Sequence, residues 1–151
     1  MPNKKILIAD YDKSSLEALR VLFEAQGLDV ITAKDGEKAY DLFRSEEPDL
    51  LLIEAMLPKI HGFNLTQTVS RESQGSVPIV IVTGLYKGPQ YKNEALHTFG
   101  AAAYFEKPYD KEKLVESVTK LLRDELELGE TLPTPDEVTD MLKAHLKKSH
   151  S

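Results

Sequence analysis

Five short apolar runs punctuate residues 1–123: Ile6-Leu7-Ile8-Ala9, Val30-Ile31, Leu50-Leu51-Leu52-Ile53, Ile79-Val80-Ile81-Val82 and Ala102-Ala103-Tyr104-Phe105. They have strand length and almost no polar interruption, the mark of strands covered on both faces. Between them apolar residues recur three and four apart, as in Leu16, Leu19, Leu22 and Phe23, in Ala39, Leu42 and Phe43, and in Leu114, Val118, Leu121 and Leu122. Each set makes one buried stripe of an amphipathic helix. The punctuation agrees: Gly27 follows the first helix as a left-handed cap, Gly36 opens the second, Pro48 precedes the third strand and Gly100 ends the fourth helix.

Five such βα units in succession predict an α/β fold, a flavodoxin-like doubly wound five-stranded parallel sheet of order 2-1-3-4-5 with helices on both faces. In such sheets ligands bind beyond the carboxyl ends of the strands. The polar residues that end each run therefore carry the candidate chemistry: Asp10 and Asp12 after strand one, Glu54 after strand three, Thr83 after strand four, and Lys107 with Pro108 after strand five. Three carboxylates, a hydroxyl and an ammonium suit a divalent cation or a phosphoryl group, and hard oxygen ligands favour Mg²⁺ if a metal binds.

Composition narrows the class without naming a function. A chain of 151 residues supports one domain with a tail, and the absence of cysteine removes disulfides, thiolate catalysis and Cys-based zinc sites and makes a reducing, cytoplasmic setting the expectation. No apolar run approaches the roughly 18 residues of a membrane span, and the short apolar stretch before Asp10 is no signal peptide. The formal charge of −6 argues against nucleic acid as a partner of this domain. Most of the excess falls in residues 124–151, read as an acidic linker and a short C-terminal amphipathic helix after a domain of residues 1–123. Thr134-Pro135-Asp136-Glu137 forms a capping box with proline at the first helical position, followed by Val138, Met141, Leu142 and Leu146 at helical spacing.

The ordered set resembles the receiver domain of two-component response regulators, the CheY-like family. It rests on Lys5 to Asp12, on Pro48 to Glu54 with Met56-Leu57-Pro58 and Gly62-Phe63, on Pro78 to Gly84, and on Gly100-Ala101 through Phe105-Glu106-Lys107-Pro108-Tyr109. The resemblance implies that an acid pair after strand one holds Mg²⁺, that an aspartate after strand three accepts phosphate from a kinase histidine, and that a Thr after strand four and a Lys after strand five bind the phosphoryl group. Asp10, Thr83 and Lys107 match these positions, and Tyr104 matches the aromatic switch residue. It also implies a cis Lys107-Pro108 peptide and a signalling partner, a histidine kinase or a downstream effector, on the face of the fourth helix, fifth strand and fifth helix.

Two positions depart from that pattern. Tyr11 stands where the second acid belongs, and a phenol with pKa near 10 is a poor Mg²⁺ ligand. Glu54 stands at the phosphoacceptor position, where an added methylene carries its carboxylate toward Thr83 and Lys107. The expected function is an atypical receiver, a pseudo-receiver, that is not phosphorylated in the usual way, is not an enzyme and works as a protein interaction module. Its metal site, built from Asp10, Asp12 and Glu54, is degraded, so the cofactor is none or weakly bound Mg²⁺. Two alternatives stay open: a Mg²⁺-dependent phosphorelay receiver rescued by Asp12, and a flavodoxin-like enzyme or nucleotide binder, which lacks a Gly-rich phosphate loop after strand one. Tyr11 either fills the metal position or stands exposed.

Gly84 to Lys92 reads as a long loop with paired Tyr-Lys steps, suited to partner recognition. His61, His97, His145 and His150 do not cluster in sequence and read as surface residues.

Overall fold

The computed structural model describes residues 3–130, with side chains through residue 123. Strands β1 (Lys5–Ala9), β2 (Asp29–Ala33), β3 (Leu50–Ile53), β4 (Ile79–Thr83) and β5 (Ala103–Glu106) alternate with helices α1 (Lys13–Glu24), α2 (Gly36–Glu46), α3 (Gly62–Glu72), α4 (Pro89–His97) and α5 (Lys111–Glu130). Every pairing is parallel and the sheet order is β2-β1-β3-β4-β5, the doubly wound order read from the sequence. The chain winds outward first through β2 and then back through β3, so the switch point falls between β1 and β3.

Alternation along the strands divides the core into two layers. Leu7, Ala9, Leu51, Ile53, Ile79 and Ile81 face one side, where Ala39 of α2, Leu65 and Val69 of α3, and Ala95 of α4 cover them. Ile6, Ile8, Leu50, Leu52, Val80 and Val82 face the other, under Leu16, Leu19 and Phe23 of α1 and Leu114, Val118 and Leu122 of α5. Apart from the half-buried Lys5, the inner strands are buried throughout, which is why they read as unbroken apolar runs.

Strand bounds differ where the sheet ends. β2 extends beyond Val30-Ile31 because its ladder follows β1 from Lys5↔Asp29 to Ala9↔Ala33; as an edge strand it tolerates the exposed Asp29 and half-buried Thr32. β5 sits one residue later than its apolar run, with Glu106 opposite Thr83. α5 runs through the boundary drawn after residue 123, since nothing in Asp124-Glu125-Leu126-Glu127-Leu128 breaks a helix. The capping-box helix at Thr134, His145 and His150 lie outside the described residues. Among the described residues no helix is long and apolar enough to cross a membrane.

Two glycines fix how loops meet the sheet edge. Gly27 takes φ +84° beyond α1, the left-handed conformation expected of it. Gly62 is required for space: a Cβ there would stand 2.5 Å from the Glu54 carbonyl oxygen and 2.6 Å from the Ala55 Cα. The start of α3 is thereby pressed against the end of β3.

Candidate functional site

The parallel ladders continue one residue past the strands. Asp10 N donates to Ala33 O at 3.1 Å, Glu54 N to Ala9 O at 2.9 Å, and Lys107 N to Thr83 O at 2.8 Å. Backbone hydrogen bonding thus sets Asp10 and Glu54 at one level of the sheet edge, with Lys107 two positions further along its strand, although 97 positions separate Asp10 from Lys107. Asp10, Glu54 and Thr83 are all buried, at 1%, 2% and 0% exposure. The Lys107-Pro108 peptide is cis.

Lys107 is the hub of the charges. Its Nζ lies 2.8 Å from Asp10 Oδ2 and 3.2 Å from Glu54 Oε2. Glu54 Oε1 accepts the Thr83 hydroxyl at 3.0 Å, and Asp10 Oδ1 accepts the Asp12 backbone N–H at 2.9 Å. Glu54 Oε2 accepts no directed hydrogen bond, so the ammonium holds it through charge. Burial works against the Lys107 charge, but the hydrogen bond and charge of Asp10, joined by the charge of Glu54, outweigh it and raise its pKa. Two carboxylates and one ammonium leave the cluster a single negative charge.

The three acids expected to share a Mg²⁺ are not brought together. Asp12 turns away to cap α1, accepting from Ser14 N at 3.3 Å, so the expected trio of Asp10, Asp12 and Glu54 is not assembled. The cause is local: the free N–H groups of the first turn of α1 attract that carboxylate. Among the described residues no three His, Asp or Glu side chains converge as a metal site. Tyr11 is 49% exposed, so of the two placements open to it the structure takes the exposed ring. The ammonium of Lys107 bridges the two remaining acids.

From Thr83 the contacts lead outward. Its Oγ1 also accepts from Leu85 N and Tyr86 N, each at 3.3 Å. The Tyr86 carbonyl accepts the hydroxyl of Tyr104, a buried ring on β5. Burial, reinforced by Glu106, pushes the Tyr104 phenol up to about 12, which keeps it a donor at neutral pH. Glu54, Lys107, Thr83 and Tyr104 thus form one connected group.

Two participants escape a reading of the sequence. Tyr86 looks like one more loop aromatic, yet it ties Thr83 to Tyr104. His61, read as a surface residue, is half-buried and caps α3. Histidine is not among the preferred capping residues, so no sequence signal marks it. The loop after β4 is also shorter than read: α4 begins at Pro89, a favoured first helical position, so Pro89 to Lys92 belong to its first turn. Tyr91 then meets Tyr86 edge-on, with ring centroids 5.3 Å apart. His97 is exposed at the end of α4.

Comparisons with known proteins agree with this architecture. The family model described as the response regulator receiver domain matches residues 6–119. The chain is 34% identical over 121 residues to the alkaline phosphatase synthesis transcriptional regulatory protein PhoP of Bacillus subtilis, covering 80% of this chain and 49% of that protein. It is 34% identical over 120 residues to the DNA-binding dual master transcriptional regulator RpaA of Synechocystis, covering 79% and 49%. The chain thus spans about half the length of the curated relatives it matches. Among solved structures, the Francisella response regulator 1452 receiver domain superposes with a TM-score of 0.75 at 29% identity, covering 81% of this chain and 98% of that one. A CheY-like receiver domain protein from Methanospirillum hungatei gives 0.76 at 26% identity, covering 83% and 98%. With the match spanning most of the chain and the fold in agreement, this protein belongs to the response regulator receiver domain family, the signalling modules of two-component systems.

Proposed function

We propose that this receiver domain signals without the usual phosphorylation, its state fixed by a carboxylate that it carries itself. The observation behind the reading is that Glu54 reaches both groups the family resemblance assigns to the phosphoryl oxygens: Oε1 receives the Thr83 hydroxyl at 3.0 Å and Oε2 lies 3.2 Å from Lys107 Nζ. One extra methylene delivers a permanent anion where a transient one would otherwise form. In-line phosphoryl transfer needs an accurately placed acceptor and a cation that neutralises developing charge. Here the acceptor is engaged on both oxygens, and Tyr11 supplies no metal ligand.

The signal would then be read by contact with a protein partner, a histidine kinase or a downstream effector, through the face of α4, β5 and α5. Support comes from the connection of Glu54 through Thr83 and Tyr86 to Tyr104, which lies on β5 of that face. The test is to add acetyl phosphate or beryllofluoride with Mg²⁺ and follow amide shifts at Thr83 and Tyr104. No response at millimolar Mg²⁺ is expected. Stoichiometric Mg²⁺-dependent labelling of Glu54 or Asp12 overturns the proposal in favour of the phosphorelay receiver whose metal site Asp12 rescues.

A further inference from the structure

His61 bridges two of the loops that surround the site. Its Nδ1 accepts from Phe63 N at 3.2 Å, so Nδ1 carries no proton and the neutral ring bears its hydrogen on Nε2. Nε2 lies 3.1 Å from the Tyr86 hydroxyl and therefore donates to it. The ring also packs against Phe63 at 5.2 Å and edge-on to Tyr86 at 5.3 Å between centroids. Tyr86 is held at three further points: its N–H by Thr83, its carbonyl by Tyr104, and its ring by Phe63 and Tyr91.

We propose that His61 is a proton-operated latch between the β3–α3 and β4–α4 loops, whose second protonation undoes the α3 cap, frees the Tyr86 hydroxyl and loosens the Thr83–Tyr86–Tyr104 connection. An imidazolium has no lone pair for Phe63 N–H, and it stands at the positive end of the α3 dipole. Both effects expel the charged ring from its place. The groups that contact it are the Phe63 N–H and ring from α3 and the Tyr86 hydroxyl from the β4–α4 loop, and the charge that acts on it is that of the Glu54 carboxylate at the end of β3. Burial lowers the His61 pKa and the charge of Glu54 offsets part of that. A depressed pKa means that the latch contributes fully above the ordinary histidine range and is lost as the pH falls through the lowered value. The latch stands on its own geometry and holds whether or not Glu54 replaces a phosphoryl group.

The test is an NMR titration of the full chain from about pH 7.5 to about pH 5, across the range in which histidine changes charge. Long-range nitrogen–proton correlations of the His61 ring should show the Nε2–H form at the upper end. The ring, the Phe63 and Tyr86 amides and the Tyr104 ring should then move with one midpoint, below the ordinary value of 6.5. His61→Asn keeps an acceptor for the cap but cannot titrate, and should abolish the shared transition at Tyr86 and Tyr104. An Nδ1–H form, Tyr104 shifts with a midpoint different from that of His61, or a transition that survives in His61→Asn would each overturn the proposal. The wild-type titration decides the matter even if the variant does not fold.

Discussion

Thr83 donates its hydroxyl to Glu54 Oε1 at 3.0 Å, tying the end of β4 to the end of β3 inside a buried cluster. Thr83 Oγ1 in turn receives two backbone N–H groups from the following loop, so Thr83 joins the charged centre to the segment that leads to Tyr104. A buried hydroxyl with three partners is costly to remove, because each partner is left to find water or go unsatisfied.

Thr83→Val keeps the shape of the side chain and removes those bonds. Urea unfolding should show a loss of about 2 kcal/mol, the scale of unsatisfied buried polar groups. The amides of Leu85 and Tyr86 should shift at the same time. Unchanged loop amides would show that Thr83 does not anchor the loop.

Lys107→Met should be costlier and should remove the alkaline pH dependence of stability that Lys107 supplies. Lys107 is 23% exposed, whereas the acids it serves are buried, so a loss of about 3 kcal/mol near pH 7 is expected from leaving Asp10 and Glu54 without a cation. In the wild type the raised Lys107 pKa gives stability that is complete below the unfolded value and fades only as the pH rises through the folded one, in the alkaline range. Denaturation curves near pH 7 and in the alkaline range check both effects: the variant is less stable near neutrality and lacks the alkaline loss due to Lys107.

Restoring the two departures together should restore the chemistry. Tyr11→Asp with Glu54→Asp supplies a second acid beside Asp10 and withdraws the carboxylate from Thr83 by roughly one carbon–carbon bond, about 1.5 Å. Intact-mass measurement after acetyl phosphate and Mg²⁺ should show a phosphoryl adduct in the double variant and none in the parent. An adduct of equal yield in both would remove the role assigned to Tyr11 and Glu54.

Gly62→Ala tests the seating of α3. With a Cβ forced within 2.5 Å of the Glu54 carbonyl, backbone must move, and a cost of about 3 kcal/mol is expected from overpacking. Gly75→Ala meets nothing within 4 Å and pays only for φ +76°, about 1 kcal/mol. Equal losses in the two variants would mean that close approach at Gly62 is not what fixes the helix start.

The sequence by itself determined the doubly wound sheet and the cast of the charged site. Strands buried on both faces must be apolar throughout, helices on a sheet must carry one apolar stripe, and in such a fold the polar residue after each run falls at the same edge. Asp10, Glu54, Thr83 and Lys107 were legible for that reason, as was a Glu54–Lys107 contact. What each carboxylate does was decided only in three dimensions. Asp12 has two competing uses, the site and the free N–H groups of α1, and its carboxylate caps the helix. The parts played by His61 and Tyr86 were likewise invisible, because a half-buried histidine cap and a loop tyrosine leave no period or motif in the chain. They acquire their roles only when α3 is pressed onto β3 and two loops distant in sequence come within one hydrogen bond of each other.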